Sequence, residues 1–235
     1  MSSSGVVVLI PAFNEEEALP RALRSIPPGR VDHVLVVDNG STDATEELAR
    51  AQGCVVVSEP RRGYGAACLA GIERLAGLEP PPEVLVFMDA DAEVEASYLS
   101  DLLGPIHSGE ADLVVGVRSV GEDGSPVRVP LHARVGNGLV LALVNLFFGC
   151  RFRDFGPFRA ITVPALERLE MDDRDWGWTL QMQLRACRRN LRIREVPIPY
   201  GGRVAGRSKI SGTVSGSLRA GSKMLYTVVR EALRS

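Results

Sequence analysis

Cysteine is scarce in this chain, and its placement excludes more than its number. The four, Cys54, Cys68, Cys150 and Cys187, are far apart and form no Cys-x-x-Cys pair. That spacing argues against a zinc site and against a disulfide framework, and it fits a reducing, cytoplasmic setting. Long apolar runs are missing too. Crossing a bilayer takes about 20 apolar residues, and the nearest approach, 139–148, is interrupted by Asn145. It reads as a core helix or as a segment lying in a membrane interface. The N-terminal Met1-Ser-Ser-Ser-Gly5 has neither the basic nor the apolar region of a signal peptide. The turn after the first predicted strand, Pro11-Ala-Phe-Asn-Glu15, contains no glycine, which excludes a dinucleotide-binding fingerprint. No internal repeat, low-complexity tract or clear linker divides the 235 residues.

Charge is abundant, though nearly balanced. The net value of −2 hides a division along the chain. From Arg185 to Ser235 there are twelve Lys and Arg against two Asp and Glu, or +10, which leaves −12 for the rest. A basic C-terminal part suggests contact with phosphate, on a nucleotide or at a membrane surface, unless it is only a set of solvated helix faces. No nucleic-acid partner is expected.

Hydrophobic residues make up 45% of the chain, enough for a substantial core, and their pattern alternates between strand and helix. Strands are predicted at 6–10, 31–37, 54–58, 84–88, 112–117 and 191–197. Helices are predicted after a cap at Asn14, at 44–52, from the Gly63-Tyr-Gly65 loop through Leu75, and at 96–106, 131–148, 178–189 and 213–233. Residues 119–130, 154–159 and 201–212 read as loop or turn. Alternation at this spacing implies right-handed crossovers and an α/β fold with a mostly parallel central sheet flanked by helices.

The chain is organised around one stretch. Val84-Leu-Val-Phe-Met88 reads as a strand buried on both faces, and it ends in Asp89-Ala-Asp91-Ala-Glu93. An unpaired carboxylate is costly to bury, so the acids should emerge at the strand's carboxyl end, where open α/β sheets bind ligands. Asp89 and Asp91 are two residues apart and in extended backbone would point the same way. Hard oxygen donors so placed suit Mg2+ or Mn2+; the plainer alternative is a solvated acidic loop. Asp38 ends the second strand in the same manner, and Arg61 and Arg62 lie in the glycine loop after the third.

The motifs Pro11-Ala-Phe-Asn-Glu15, Val37-Asp-Asn-Gly-Ser-Thr-Asp43, Arg62-Gly-Tyr-Gly65 and Asp89-Ala-Asp91, in this order, resemble the family 2 glycosyltransferases, which have the GT-A fold. Asp154-Phe-Gly-Pro-Phe-Arg159 and Gly206-Arg-Ser-Lys-Ile-Ser-Gly212 extend the resemblance over nearly the whole chain. These two resemble the branch of dolichol-phosphate mannose synthases and other polyprenyl-phosphate glycosyltransferases, in the form without C-terminal transmembrane helices. The resemblance implies one domain over 1–235, with a nucleotide-sugar half (1–118), an acceptor-side half (119–212) and a C-terminal helical extension (213–235). Pro11, Phe13, Glu15, Asp38 and Gly63 would serve the nucleoside pocket and donor loop. Phe13 stands where a tyrosine is common, so a hydroxyl contact is lost. Asp89, Ala90 and Asp91 would hold metal and donor diphosphate, with Glu93 as a third ligand. Arg203 and Lys209 would close over the nucleotide. Arg118, Arg134, Arg159 and Arg207 are candidates for donor or acceptor phosphates.

The implied reaction is inverting transfer of a sugar from a UDP- or GDP-sugar to a polyprenyl phosphate at the cytoplasmic membrane face, by a peripheral protein. A phosphate monoester has its second pKa near ~6, so the nucleophile needs little help from a base. Positioning and charge neutralisation are then the enzyme's work. Asp154 could orient acceptor or sugar; with a hydroxyl acceptor it would be the first candidate for general base. The helix at 131–148, opening near Arg134, could shelve the lipid or simply fill the core. Alternative functions are transfer to a saccharide or other hydroxyl and a non-catalytic nucleotide-sugar-binding module.

Overall fold

The computed structural model describes residues 5–92, 96–121, 131–200 and 214–234. Seven strands form one sheet in the order β3-β2-β1-β4-β6-β5-β7. They are β1 (Val6–Ala12), β2 (His33–Asp38), β3 (Val55–Ser58), β4 (Val84–Phe87), β5 (Leu113–Gly121), β6 (Arg159–Thr162) and β7 (Ile193–Tyr200). β3, β2, β1 and β4 pair in parallel, as do β5 and β7; β6 runs antiparallel between β4 and β5. Six strands therefore end at the edge where β6 begins.

The strands are apolar because both faces are covered. Val6, Val8, Ile10, Val84 and Val86 point into one core. It is closed by α1 (Leu19–Ser25), α2 (Thr45–Ala51) and α4 (Leu99–His107). Val7, Leu9, Leu85 and Phe87 point into the other. That one is closed by α3 (Tyr64–Leu75), α6 (Val163–Leu169) and α7 (Trp178–Arg188). The alternation follows from the period of two along a strand. A smaller cluster, with Val140, Val144, Leu180, Leu184 and Val228, joins α5 (Leu131–Phe148), α7 and α8 (Val214–Leu233).

α8 is bound by charge as well as by packing. The buried Glu231 receives hydrogen bonds from Gln181 and Arg185 of α7, at 2.8 and 2.9 Å. Asp172 takes up Arg185, Arg230 and Arg234 at 2.9, 3.2 and 2.6 Å. Asp173, with a fully buried side chain, lies 3.2 Å from Lys223. These contacts dock α8, within the expected C-terminal extension 213–235, on the body.

Four local expectations are corrected. Asn14 does not cap α1, which starts at Leu19 with Pro20 in its first turn. It adopts φ 51° instead, and its side chain accepts the Thr42 amide at 2.8 Å, tying two loops together. The segment 154–159 is not turn throughout, because Arg159 opens β6. The helix α6 was not anticipated; Thr162 caps it by accepting the Ala165 amide. Cys150 and Cys187 are paired as a disulfide across a Cα–Cα distance of 6.5 Å, joining the segment after α5 to α7. Among the described residues no helix is long and apolar enough to cross a membrane.

Gly63 and Gly65 show why the loop before α3 is glycine-rich. A Cβ on either would collide with a backbone carbonyl oxygen, that of Arg174 or of Asp173. Backbone cannot give way as a flexible side chain can, so Gly65→Ala should cost about 1–3 kcal/mol. Urea unfolding checks this; an unchanged midpoint would contradict the close approach.

Candidate active site at the carboxyl edge of the sheet

The edge is assembled from loops that lock each other. Asp38, at the end of β2, is 4% exposed, and its carboxylate accepts the Gly40 and Ser41 amides at 3.2 and 3.1 Å. Asn39 donates to the carbonyls of Glu59 and Arg61, at 2.8 and 2.7 Å, and accepts the Gly63 amide at 2.9 Å. One amide side chain thus fixes the whole β3–α3 loop. The Glu15 amide donates to Thr45 Oγ1 at 2.8 Å, which ties the β1–α1 loop to α2. Pro11, Phe13 and Glu15 are half-buried along this seam. The Arg62 guanidinium lies 3.0 Å from the Phe13 ring centroid and donates to the Asn39 and Gly40 carbonyls. Arg62 therefore covers one face of the Phe13 ring.

Asp89 follows β4 with Met88 between, and Ala90 and Asp91 form a turn, not the extended backbone expected. Ala90 is buried; Asp89 and Asp91 are half-buried. Two carboxylates at this position fit a hard divalent cation. Glu93 lies outside the described residues, and among those described no three acidic, His or Cys side chains converge on one metal position.

Beneath the acids is a buried cation. β6 places Arg159 beside Phe87 in register, and Arg159 is 0% exposed. Its guanidinium donates to the Thr179 carbonyl at 2.9 Å, to Gln183 Oε1 at 3.3 Å, and to the Gly156 carbonyl. Burial pushes its pKa down to about 10, and the charges of Asp154 and Asp89 oppose that shift. It remains a cation at neutral pH. The buried Tyr64 hydroxyl and Cys68 thiol are raised well above their usual range, first by burial, with Cys68 (for Tyr64) and Asp89 adding to it. An acceptor phosphate at the surface would not reach Arg159 in this position.

Asp154 and Arg118 are brought together. Arg118 Nε and Nη2 donate to the two Asp154 oxygens, each at 2.7 Å, and the Phe155 amide adds a bond of 2.8 Å. Burial raises the Asp154 pKa, but the hydrogen bonds and charge of Arg118 outweigh it and hold the carboxyl below its usual range. Asp154 is an ionised, engaged carboxylate. Arg134 lies on α5; Arg203, Arg207 and Lys209 fall outside the described residues. Sequence reasoning missed Asn39, Tyr64 and Gln183. Asn39 and Tyr64 stood inside motifs already singled out, whereas Gln183 carried no signal beyond its place on a helix.

The family profile described as Glycosyl transferase family 2 matches residues 7–195. The chain belongs to the family 2 glycosyltransferases. It is an enzyme of glycosyl transfer with the GT-A-like α/β fold expected of that family. An uncharacterized glycosyltransferase of Mycobacterium tuberculosis is 37% identical over 94% of this chain and 96% of its own. The undecaprenyl-phosphate mannosyltransferase of Micrococcus luteus is 32% identical over 90% of this chain and 89% of its own. The polyprenol monophosphomannose synthase of Mycolicibacterium smegmatis is 34% identical over 88% and 81%. Among solved structures, glucosyl-3-phosphoglycerate synthase of M. tuberculosis, crystallised with Mn2+, UDP-glucose and phosphoglyceric acid, superposes with a TM-score of 0.77. That match is 24% identical and covers 97% of this chain and 79% of that one.

The Arg118–Asp154 pair yields a signed prediction. Arg118→Ala leaves a mostly buried carboxylate without its partner. With Arg118 39% exposed, solvent reduces the loss to about 1–2 kcal/mol. The Asp154 pKa is depressed on folding, so this stability is present above the unfolded value of about 3.9 and lost as pH falls through the folded one. Thermal melts of both proteins between neutral and acid pH should converge below about pH 4. A difference that persists unchanged into acid would contradict the pairing.

Proposed function

We propose that this family 2 glycosyltransferase moves a sugar from a UDP- or GDP-sugar to a polyprenyl phosphate, with inversion and with dependence on Mg2+ or Mn2+. In this reading it works as a peripheral protein at the cytoplasmic membrane face. Residues 1–118 form the nucleotide-sugar half and 119–212 the acceptor side. Asp89 and Asp91, with Glu93, would hold the metal, which when bound supplies charge neutralisation to the departing diphosphate. Phe13, flanked by Arg62, gives the nucleobase a flat apolar surface, while Pro11, Glu15 and Asp38 shape the seam around it. Arg203 and Lys209 would close over the nucleotide, and Arg134 would meet the acceptor phosphate.

The observation that carries the acceptor reading is the state of Asp154. The carboxylate that would serve a hydroxyl acceptor as base is bound bidentately by Arg118 and kept below its usual pKa range. A weak base held in that way does little to deprotonate an alcohol, whereas a phosphate nucleophile arrives ionised. The names of the relatives from M. luteus and M. smegmatis agree with this choice.

Two measurements test it. Transfer from radiolabelled UDP- and GDP-sugars to polyprenyl phosphate should need Mg2+ or Mn2+ and should fall by about a hundredfold or more in Asp89→Ala. Transfer only to alcohols, or full activity in Asp89→Ala, overturns it. The pH profile separates the acceptors. With a phosphate nucleophile the rate falls as pH drops through ~6; with Asp154 as base it stays flat down to about pH 4.

A further inference from the structure

Among the described residues, the large apolar side chains that stand exposed are Leu146 and Phe147 on α5 and Tyr226, Val229 and Leu233 on α8. These two helices pack against each other through Val140, Val144 and Val228. On α8 the spacing of three and then four residues puts Tyr226, Val229 and Leu233 in one stripe. Leu233 is 78% exposed and Leu146 74%, so among the described residues nothing covers this apolar surface. Apolar surface gathered in one place marks an interaction site more than scattered exposure does.

The charge around the stripe points to the partner. Lys223 Nζ lies 5.7 Å from the Tyr226 ring, and the Arg188 guanidinium 5.7 Å from the Phe148 ring. Arg234 adjoins Leu233 and is half exposed. Around α8, Arg185, Arg188, Lys223, Arg230 and Arg234 gather against Asp172, Asp173 and Glu231, five positive charges to three negative among the described residues. A second copy presenting the same face would bring like charge to like charge. An anionic bilayer supplies both an apolar layer and opposite charge. Since no described helix is able to span a membrane, α8 would lie in the interface plane with its stripe turned inward.

We propose that the α5–α8 face is the surface by which this enzyme docks on an anionic phospholipid bilayer. The proposal deepens the lipid-acceptor reading by naming the face that brings the enzyme to its substrate. It rests on that reading for its purpose, not for its geometry.

The full chain should co-sediment with phosphatidylcholine vesicles containing phosphatidylglycerol, much less with phosphatidylcholine alone, and less at high salt. The triple variant Tyr226→Ser, Val229→Ser, Leu233→Ser should lose about tenfold or more in vesicle affinity. Its transfer to a short, water-dispersed polyprenyl phosphate should match the wild type. If the triple variant does not melt cooperatively, Phe147→Ser carries the same vesicle measurement. Equal vesicle binding by wild type and variant overturns the proposal. So does a wild type that ignores anionic vesicles and forms a dimer that the triple variant abolishes. Vesicle binding as predicted, with no transfer by either protein, leaves the docking face standing and removes the acceptor reading.

Discussion

The site depends on one buried guanidinium. Arg159 enters the sheet as the first residue of the reversed strand β6, beside Phe87, and is fully enclosed. A cation removed from water must be surrounded by compensating groups. Those found for it come from separate parts of the chain: the Gly156 and Thr179 carbonyls, Gln183, and the fields of Asp89 and Asp154. Meeting that need draws together the end of β4, the 154–158 turn and the first turns of α7. The Asp89 carboxylate at the edge therefore stands in the field of a buried cation.

A second chain of contacts runs from the C-terminal helix to the donor loop. α8 grips Asp172 and Asp173 through Lys223, Arg230 and Arg234. The backbone of Asp173 and Arg174 abuts Gly63 and Gly65, and the Ala66 amide donates to the Arg174 carbonyl at 3.0 Å. Asn39 and Arg62 then carry the order to Phe13. The helix that bears the exposed apolar stripe is thus continuous, through packed backbone and ion pairs, with the loop expected to cradle the donor. The glycines serve this close packing at least as much as they serve a phosphate.

The parallel half of the fold was legible because its signals are local. Val6–Ala12, His33–Asp38 and Val84–Phe87 are β-branched runs ended by turn residues or acids, and each is followed by a periodic helix. The acid edge followed from the cost of burying a carboxylate. What was not legible depends on tertiary context. β6 is four residues long and starts with a charge made tolerable by groups distant in sequence, among them Thr179, Gln183 and Asp89. Asn14 reads as a helix cap but is drawn to Thr42 across 28 residues of chain. Asp154 and Arg118 were each visible as candidates, yet their pairing, which turns a possible base into a fixed anion, is a contact over 36 residues. The Cys150–Cys187 pairing likewise needs α5 and α7 to be neighbours.

The central claim is that the carboxyl edge, from Phe13 and Asp38 to Asp89 and Asp91, is a metal-dependent site for a nucleoside diphosphate sugar. Thermal stability measured with UDP-, GDP- and dTDP-sugars, each with and without Mn2+, tests it most directly, since a ligand that binds only the folded state raises the melting temperature by mass action. One nucleotide class should stabilise the protein, and strongly only when the metal is present. Stabilisation by none of them, or by a nucleotide sugar equally well without metal, would contradict it.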